Sequence, residues 1–351
     1  MAYTTITDPS VYFQTQLFTG TGSSLSVTNT GNADLQPDLV WIKNRDIAAS
    51  HVLTDTTRGA TKSLFSDQSS GESTDTQQLT SFNSDGFTVG TSNNVNGNGN
   101  GSVAWQWKAN GGTTASNSDG SITSTVQGNT TAGFSIVTYA GNGNNNQTIG
   151  HGLGATPQII ITKNRSAAYN WIVYHPTLAA TKILVLDMSL AEFTPSGGYY
   201  SNVGSSTYQL VQGSSGLTNV NANGNNYVAY CFTEKKGYSK FGSYKGNGNA
   251  DGPFVYTGFK PAWVMIKNAD ASEIWRIFDD KRDTYNVMEK GLYPNLNNAE
   301  GSGTPRLDFL SNGFKLRDSG NALNDSGANL IYMAFAQNPL VASNNVIALA
   351  R

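Results

Sequence analysis

The chain has 351 residues and a net charge of −2, and charged residues make up only 13% of it, about half of the ~25% that is usual in globular proteins. This balance gives no electrostatic basis for binding nucleic acid or an anionic membrane, and no apolar run reaches the ~18 residues of a membrane helix. Hydroxyl and amide groups must therefore keep the protein in solution, and the 38 glycines suit short strands joined by many turns.

The first ten residues, MAYTTITDPS, lack the basic and apolar regions of a secretory signal, and we interpret them as an arm that precedes the repeats. The chain has one cysteine, Cys231, so no disulfide can form within it. Cys231 lies in the alternating run YVAYCFTE, which predicts a buried, unreactive thiol in a protein made in a reducing cytoplasm.

One strand-like phrase occurs three times in the sequence. It stands at residues 36–46 (QPDLVWIKNRD), 156–166 (TPQIIITKNRS) and 260–270 (KPAWVMIKNAD), and we call these the Pro-to-Lys phrases. In each, a lysine follows a proline by six positions, and the residues between them are rich in β-branched and aromatic side chains. This composition predicts a β-strand in all three places.

A second predicted strand follows each Pro-to-Lys phrase, beginning near His51, Trp171 and Trp275. The first and third copies keep one constant offset through this strand, so that Asp55 and Arg58 correspond to Asp279 and Arg282. The second copy has neutral residues at these positions, which does not suit a shared catalytic design. We therefore interpret the two Asp–Arg combinations as structural ion pairs or turn caps.

Each copy also ends in a similar way. The segments FNSDGFTVG (82–90), QGSSGLTNV (212–220) and LSNGFKLRD (310–318) place a glycine before phenylalanine or leucine, as tight turns require. Final strands follow at 102–107 (SVAWQW), 227–232 (YVAYCF) and 331–336 (IYMAFA), with Ala104, Ala229 and Ala334 matched in the middle. Their alternation predicts half-buried strands.

Several short strands per ~100 residues, separated by turns, predict an all-β protein made of three tandem antiparallel β-sandwich modules of jelly-roll type. The predicted organisation is an N-terminal arm (1–10), three modules (11–110, 132–236 and 237–340), a Gly/Ser/Thr/Asn linker (111–131) and a C-terminal tail (341–351). The linker composition is typical of a flexible or surface-draped segment. We therefore expect the last two modules to form a rigid pair and the first to be attached more loosely.

The sequence offers few residues for chemistry. His51, His151 and His175 stand in no metal-binding spacing and far from Cys231, so we interpret them as turn or rim histidines. The glycine-rich strings lack the Lys-Ser/Thr of a phosphate-binding loop. The cluster Asp318, Asn321, Asn324 and Asp325 could in principle bind calcium but follows no known ligand pattern. The sequence therefore predicts no catalytic residues, no cofactor site and no metal site.

Two sets of residues are candidates for contact with partners. Lys43, Lys163 and Lys267 end their apolar runs; they could form a basic rim, but we favour lysines that protect an exposed strand edge. The candidate surface-recognition residues are Tyr199, Tyr200 and Tyr208, in GGYYSNVGSSTY of the second module. Aromatic rings in Asn/Ser/Gly-rich loops are typical of paratopes and sugar-binding surfaces, although packing in a core is the alternative.

The phrases GFKPAWVMIKNAD, NGNADGPFVYTGF, DFLSNGFKLR and IYMAFAQNP resemble a family of virion proteins encoded by tailed phages of marine and freshwater bacteria. The start, MAYTTITDPSVYFQTQLFTGTG, and the phrase DLQPDLVWIKNRD are similar to the same family, so the resemblance covers nearly the whole chain. It implies a structural role in the virion, often as a tail-fibre-like component, and it implies no catalytic residues.

We therefore expect a non-enzymatic bacteriophage virion protein, made in the host cytoplasm and built into the particle as a tail fibre, spike or tail-associated component. It would take part in host attachment or particle assembly. The alternatives are a capsid decoration protein (head fibre or cement) and a polysaccharide-degrading tail enzyme, which would need two carboxylates ~5–10 Å apart. The expected partners are other tail or capsid proteins, further copies of the chain, as in a trimer, and a host surface glycan. No contact with nucleic acid and no membrane insertion are expected.

Overall fold

The computed structural model describes residues 3–212 and 219–341, and these residues form mainly short strands. The first part of the chain contains β1 (Phe13–Thr19), β2 (Leu25–Val27), β3 (Leu39–Asn44), β4 (Val52–Asp55), β5 (Lys62–Phe65), β6 (Ser73–Thr74), β7 (Leu79–Asn83), β8 (Gly86–Val89) and β9 (Gly101–Trp107). The middle part contains β10 (Ala115–Asn117), β11 (Ser124–Asn129), β12 (Phe134–Ala140), β13 (Gln147–Gly150), β14 (Ile159–Asn164), β15 (Ile172–Tyr174), β16 (Leu184–Val185), β17 (Gly198–Ser201), β18 (Thr207–Gln212) and β19 (Asn226–Phe232). The last part contains β20 (Ser239–Lys245), β21 (Phe254–Tyr256), β22 (Phe259–Asn268), β23 (Arg276–Asp279), β24 (Leu307–Leu310), β25 (Gly313–Leu316) and β26 (Asn329–Pro339). Within the described ranges, helical structure is limited to a 3-10 turn (Pro9–Val11) and the single turns α1 (Asn93–Asn96) and α2 (Asn321–Asn324).

Three larger sheets share one strand order. The first sheet contains β1-β9-β3-β4, the second β12-β19-β14-β15 and the third β20-β26-β22-β23, each as a run of antiparallel neighbours. The Pro-to-Lys phrases supply β3, β14 and β22, which occupy the same place in each order. The three phrases are therefore strands in equivalent surroundings, and the prediction of an all-β antiparallel sandwich is confirmed.

The strand register corrects one detail of the match between the three copies. Ile42 pairs with Ala104 and Thr162 pairs with Ala229, but Ile266, at the same position of its phrase, pairs with Tyr332. The equivalent of the two alanines is thus Tyr332, two residues before Ala334. A slip of two residues keeps every side chain on its own face of the sheet, which is why the alternating pattern alone did not reveal it.

A three-stranded sheet covers one face of each large sheet. The small sheets have the orders β2-β8-β7, β13-β18-β17 and β21-β25-β24. The turns predicted from FNSDGFTVG and LSNGFKLRD connect β7 to β8 and β24 to β25. At Gly86 the backbone has a φ of 99°, and a Cβ there would lie 2.0 Å from the carbonyl oxygen of Val27. Glycine is thus required at this turn both for its conformation and for the close strand contact.

Each large sheet is buried on both faces. Side chains on one face pack against the small sheet in an outer core, while those on the other face meet the other two large sheets in a central core. In β9, for example, Val103, Trp105 and Trp107 lie in the central core and Ala104 in an outer core. All six tryptophans of the chain lie in the central core. The prediction of half-buried final strands was wrong because both faces of these sheets are covered.

Part of the segment predicted as a flexible linker, 111–131, belongs to the second sheet. β10 and β11 extend that sheet at the edge of β12, so the linker prediction was wrong for these residues. The carboxylate of Asp38 accepts the backbone N–H groups of Ala109, Gly111 and Gly112 at 2.7–2.9 Å, which fixes the start of the segment. The first large sheet shares the central core with the other two, so the expectation that it is loosely attached was also wrong.

The N-terminal arm lies against the third sheet. Tyr3 donates its hydroxyl hydrogen to the carbonyl of Gly258 at 2.7 Å, Thr4 bonds to the carbonyl of Lys236, and Ile6 enters the central core. The predicted C-terminal tail, 341–351, lies outside the described residues except for residue 341. The described part of the arm is therefore packed on its own chain.

Candidate functional site

Three equivalent junctions connect the large sheets in a closed cycle. The backbone N–H of Glu72 donates to the carbonyl of Arg165, that of Glu192 to Ala269, and that of Glu300 to Arg45, at 2.7–2.8 Å. The three acceptors each follow a Lys-Asn pair at the end of a Pro-to-Lys phrase. Each sheet therefore contacts the next through the same main-chain bond, and the third contacts the first.

A network of charged side chains reinforces the junction of the first and second sheets. Arg58 is fully buried and lies 2.5 Å from Asp55 and 3.1 Å from Glu72, which in turn lies 2.9 Å from Arg165 of the second sheet. Tyr230, also of the second sheet, donates its hydroxyl hydrogen to Asp55 at 2.8 Å. Each buried charge thus has an opposite charge and a hydrogen bond, the condition for tolerating charge in a core.

The junction of the third and first sheets repeats this network residue for residue. Arg282 lies 2.6 Å from Asp279 and 3.1 Å from Glu300, and Glu300 lies 2.7 Å from Arg45 of the first sheet. The indole of Trp105 donates to Asp279 at 3.0 Å in place of the tyrosine hydroxyl. The sequence prediction that both Asp–Arg combinations are structural ion pairs is confirmed.

The junction of the second and third sheets, the neutral junction, shows no ion pair between the two sheets among the described residues. His175 and Leu178 take the positions of the Asp and Arg, Ala269 takes that of the second Arg, and Met333 takes that of the tyrosine. The carboxylate of Glu192 pairs instead with Lys182 of its own sheet, at 3.2 Å. This junction therefore depends on the shared backbone bond and on apolar packing.

The two network glutamates are held in their ionised form. Burial alone would raise the pKa of Glu72, but hydrogen bonding from Arg165 and the positive charges of Arg58 and Arg165 outweigh it and hold the pKa below its ordinary value. The pKa of Glu300 is lowered in the same way by Arg45 and Arg282, again against the effect of burial. The sequence prediction did not include these glutamates, although Glu72 and Glu192 have the same separation as Lys43 and Lys163, which could have identified them.

The three repeated lysines are fully buried, so both sequence interpretations, a basic rim and an edge lysine, were wrong. Each ammonium donates to main-chain carbonyls of nearby loops; Lys163, for example, bonds to Tyr169 and, at 2.8 Å, to Ser69 near the first sheet. Lys43 and Lys267 bond to Asn44 and Asn268 of their own strand ends. Burial lowers the pKa of all three lysines to about 8.

The histidines and the cysteine are also buried. His51 accepts the indole N–H of Trp41 at 2.9 Å, the ring of His151 contacts the carbonyl of Gly204 at 3.1 Å, and His175 contacts Thr177 at 2.8 Å. Their predicted place at a rim was wrong, since each is at most 1% exposed. The prediction of a turn holds for His175, whose carbonyl accepts the backbone N–H of Leu178 at 3.2 Å. The prediction of a buried Cys231 is confirmed, and burial raises the pKa of its thiol.

Two of the three candidate recognition tyrosines belong to an outer core. Tyr208 is 0% and Tyr200 5% exposed, and their rings pack edge to face with centroids 5.6 Å apart. The prediction of a recognition surface is therefore wrong for both, because β17 and β18 turn these residues toward the second large sheet. Tyr199, whose neighbours on β17 face the core, is half-buried and borders a cleft.

This cleft has a volume of about 650 Å³ and lies between the turn formed by residues 176–182 and the hairpin of β17 and β18. Tyr174 and Tyr199, which also pack against the outer core, line it together with Asn146, Asn202 and Gln209. Its size lies within the roughly 300–1,000 Å³ of small-ligand sites. It is the candidate binding site, and two of the tyrosines named from the sequence, Tyr199 and the largely buried Tyr200, line it.

The suspected calcium cluster is occupied by internal bonds. The side-chain N–H groups of Asn324 donate to Asn247, Asn249 and Asp318, and Asp318 pairs with Arg306 at 2.5 Å. In the described ranges no group of three or more His, Cys, Asp or Glu side chains is placed to hold a metal ion. No helix in these ranges combines the length and apolarity of a membrane crossing.

Comparison with known families gives one match. The profile described as domain of unknown function (DUF7483) matches residues 8–339, which cover both charged junctions, the neutral junction and the cleft. No match was found among curated proteins or among solved structures. The chain belongs to the DUF7483 family.

Proposed function

We propose that the three sheet pairs are three copies of one β-sandwich module, and that the protein is a non-enzymatic structural component of a tailed-phage particle. A sheet pair is a large sheet together with the three-stranded sheet that covers it. Within the particle it acts as a tail fibre, spike or tail-associated protein in attachment or assembly. The sequence resemblance to phage virion proteins supports the assignment to a phage particle, and the way the three sheets are joined supports a structural role in it.

The observation that carries the structural role is the closed cycle of junctions. Glu72, Glu192 and Glu300 connect each large sheet to the next, and the inner faces of all three sheets form a single core. Bonds between all three sheets and a shared core resist movement of one sheet pair against another. This rigidity suits a building block of a particle, whereas lid or domain closure is common in enzymes.

The direct test is to locate the protein in phage particles. Particles of the encoding phage are purified, their proteins are quantified by mass spectrometry, and gold-labelled antibody against the chain is imaged by electron microscopy. We expect a few copies per particle and label on the tail. Hundreds of copies with label on the head would identify a capsid decoration protein instead, and absence from purified particles would refute the proposal.

A further inference from the structure

The cleft opens where the second sheet pair departs from the other two. In the first pair, the backbone N–H of Thr61 donates to Leu79 of β7 at 2.9 Å, and Asp75 donates back to Thr61 at 2.8 Å. In the third pair, Met288 donates to Leu307 of β24 at 2.8 Å, and Arg306 donates back to Met288. These bonds close the space between the large sheet and the small hairpin in both pairs.

The second pair keeps the turn but not its contact with the hairpin. Thr181, like its counterpart Thr61, has a φ of 69°, so the backbone of the turn is unchanged. The segment keeps its pairing with residue 193, since Ile183 donates to the carbonyl of Phe193 at 3.0 Å, as Ser63 pairs with Ser73 in the first pair. Among the described residues, only the bond from the turn to the hairpin is missing. Residues 202–206 also make the connection from β17 to β18 longer than the two-residue turns of the other hairpins. The result is an open cleft in place of a closed contact.

The polar part of the cleft wall is fixed before any ligand arrives. Ser201 and Asn202 both donate to the side-chain oxygen of Gln209 at 2.8 Å, and the amide nitrogen of Gln209 donates to the carbonyl of Asn146 at 3.3 Å. Amide groups offer both donors and acceptors, as the hydroxyls of a sugar require. A preorganised site loses less conformational entropy when a ligand binds.

The apolar part of the wall consists of aromatic and small side chains. Tyr174 and Tyr199 are half-buried and line the cleft, together with the small, exposed side chains of Ala179 and Ala180. The C–H faces of a pyranose ring are apolar and pack against aromatic rings. The wall thus combines apolar and hydrogen-bonding side chains, as sites for small ligands do.

The charge of the cleft favours an uncharged ligand over a charged one. None of the described residues that line it carries a carboxylate, and its one cation, Lys182, lies 3.2 Å from the carboxylate of Glu192. Burial lowers the pKa of His175 to about 4, so this lining residue is neutral at pH 7. A cationic ligand would meet no carboxylate among these lining residues, and an anionic ligand would have to compete with Glu192 for Lys182.

We propose that this cleft binds a short neutral oligosaccharide. The inference rests on the proposed function for its biological role, in which the sugar belongs to the host surface, but the binding itself is a property of the isolated chain. Tyr174 and Tyr199 provide the stacking faces, and the Asn146–Asn202–Gln209 group provides the hydrogen bonds.

The test measures binding of the purified full chain to an array of neutral di- to tetrasaccharides of hexoses and N-acetylhexosamines, with sialylated and sulfated sugars for comparison, followed by titration calorimetry. We expect binding to neutral members, and we expect Tyr199→Ala to weaken it by at least about tenfold, which corresponds to ~1.4 kcal/mol. Ala180→Trp, which adds bulk at an exposed wall position, is expected to abolish binding while leaving the thermal midpoint unchanged.

Tyr256→Ala is the matched control, because Tyr256 is 53% exposed and lies on the third small sheet, outside the cleft. We expect this variant to bind as the parent does. Binding restricted to charged sugars, no binding at millimolar concentration, or unchanged affinity in both Tyr199→Ala and Ala180→Trp would each overturn the inference. A chain that binds sugar but is absent from particles would instead refute only the proposed function.

Discussion

At the scale of single residues, the junctions depend on charges that are buried in pairs. Arg58 and Arg282 are each surrounded by two carboxylates, and the side chains of both arginines are 0% exposed. Removing one member of a buried ion pair leaves the other without compensation, and this is much more costly than loss of an exposed pair. The cost of a substitution at a junction should therefore differ clearly from that at the surface.

We expect Arg58→Met to lower the free energy of unfolding by about 3–5 kcal/mol, since Met keeps much of the volume but leaves Asp55 charged and unpaired. The matched control is Arg317→Met, because Arg317 pairs with Asp308 at 2.6 Å but is 38% exposed. That variant is expected to cost at most about 1 kcal/mol. Urea unfolding followed by tryptophan fluorescence measures both, and equal losses in the two variants would contradict a stabilising network at the junction.

The network glutamates predict an acid-sensitive fold. The folded pKa of Glu72 lies below its ordinary value of 4.5, so its contribution to stability is complete above that pH and is lost as the pH falls through the folded pKa. We expect Glu72→Gln to be less stable than the parent at pH 7 but to lose less stability between pH 5 and pH 3. Urea unfolding across this range is the measurement, and parallel pH profiles for the two proteins would show that Glu72 does not contribute in this way.

At the scale of elements, the sequence predicted strands well and their surroundings poorly. The composition of the Pro-to-Lys phrases identified β3, β14 and β22, because proline and β-branched or aromatic residues are local signals. The burial of Lys163 was not predictable, because one of its acceptors, the carbonyl of Ser69, is 94 residues away in sequence. The ion pair of Glu72 with Arg165 spans 93 residues and is hidden for the same reason.

The segment 111–131 shows how composition can mislead. Its glycine, serine, threonine and asparagine content is typical of a flexible linker, yet β11 pairs with β10 on one side and β12 on the other. Strand pairing depends on backbone hydrogen bonds, which small polar residues form as well as apolar ones do. A strand of such residues lacks the apolar alternation by which a strand is predicted from sequence.

We expect the backbone amides of β11 to be protected from hydrogen exchange, because they lie between two neighbouring strands. The exposed loop of residues 143–146, which is also rich in glycine and asparagine, is the control and is expected to exchange much faster. Exchange followed by mass spectrometry resolves both segments. Equally fast exchange in β11 and the loop would support a flexible linker.

At the scale of the whole molecule, the central core makes the three sheet pairs dependent on one another. The six tryptophans lie in this core, and Phe13, Trp107, Trp263 and Phe335 from the first and third sheets pack with ring centroids 5.1–6.4 Å apart. A sheet pair removed from the others would expose its tryptophan-bearing face to water. Burial of a large aromatic side chain contributes about 1.5–3 kcal/mol, so separation of the pairs would be strongly unfavourable.

The arrangement around this core was the part of the fold that sequence could not supply. The repeat identified the recurring strands. It did not show that the inner faces of the three large sheets pack against each other. The fully buried patterns of β3, β14 and β22 arise only when three large sheets share one interior. The cleft could not be predicted from the sequence either, because it results from the absence in the second sheet pair of a contact that the other two pairs make.

Differential scanning calorimetry of the full chain tests most directly whether the three sheet pairs form one body. If they share a core and a closed cycle of junctions, they unfold together, in a single transition whose calorimetric and van't Hoff enthalpies agree. Two or three resolved transitions, or a van't Hoff enthalpy well below the calorimetric value, would mean that the sheet pairs unfold independently and would contradict a shared core.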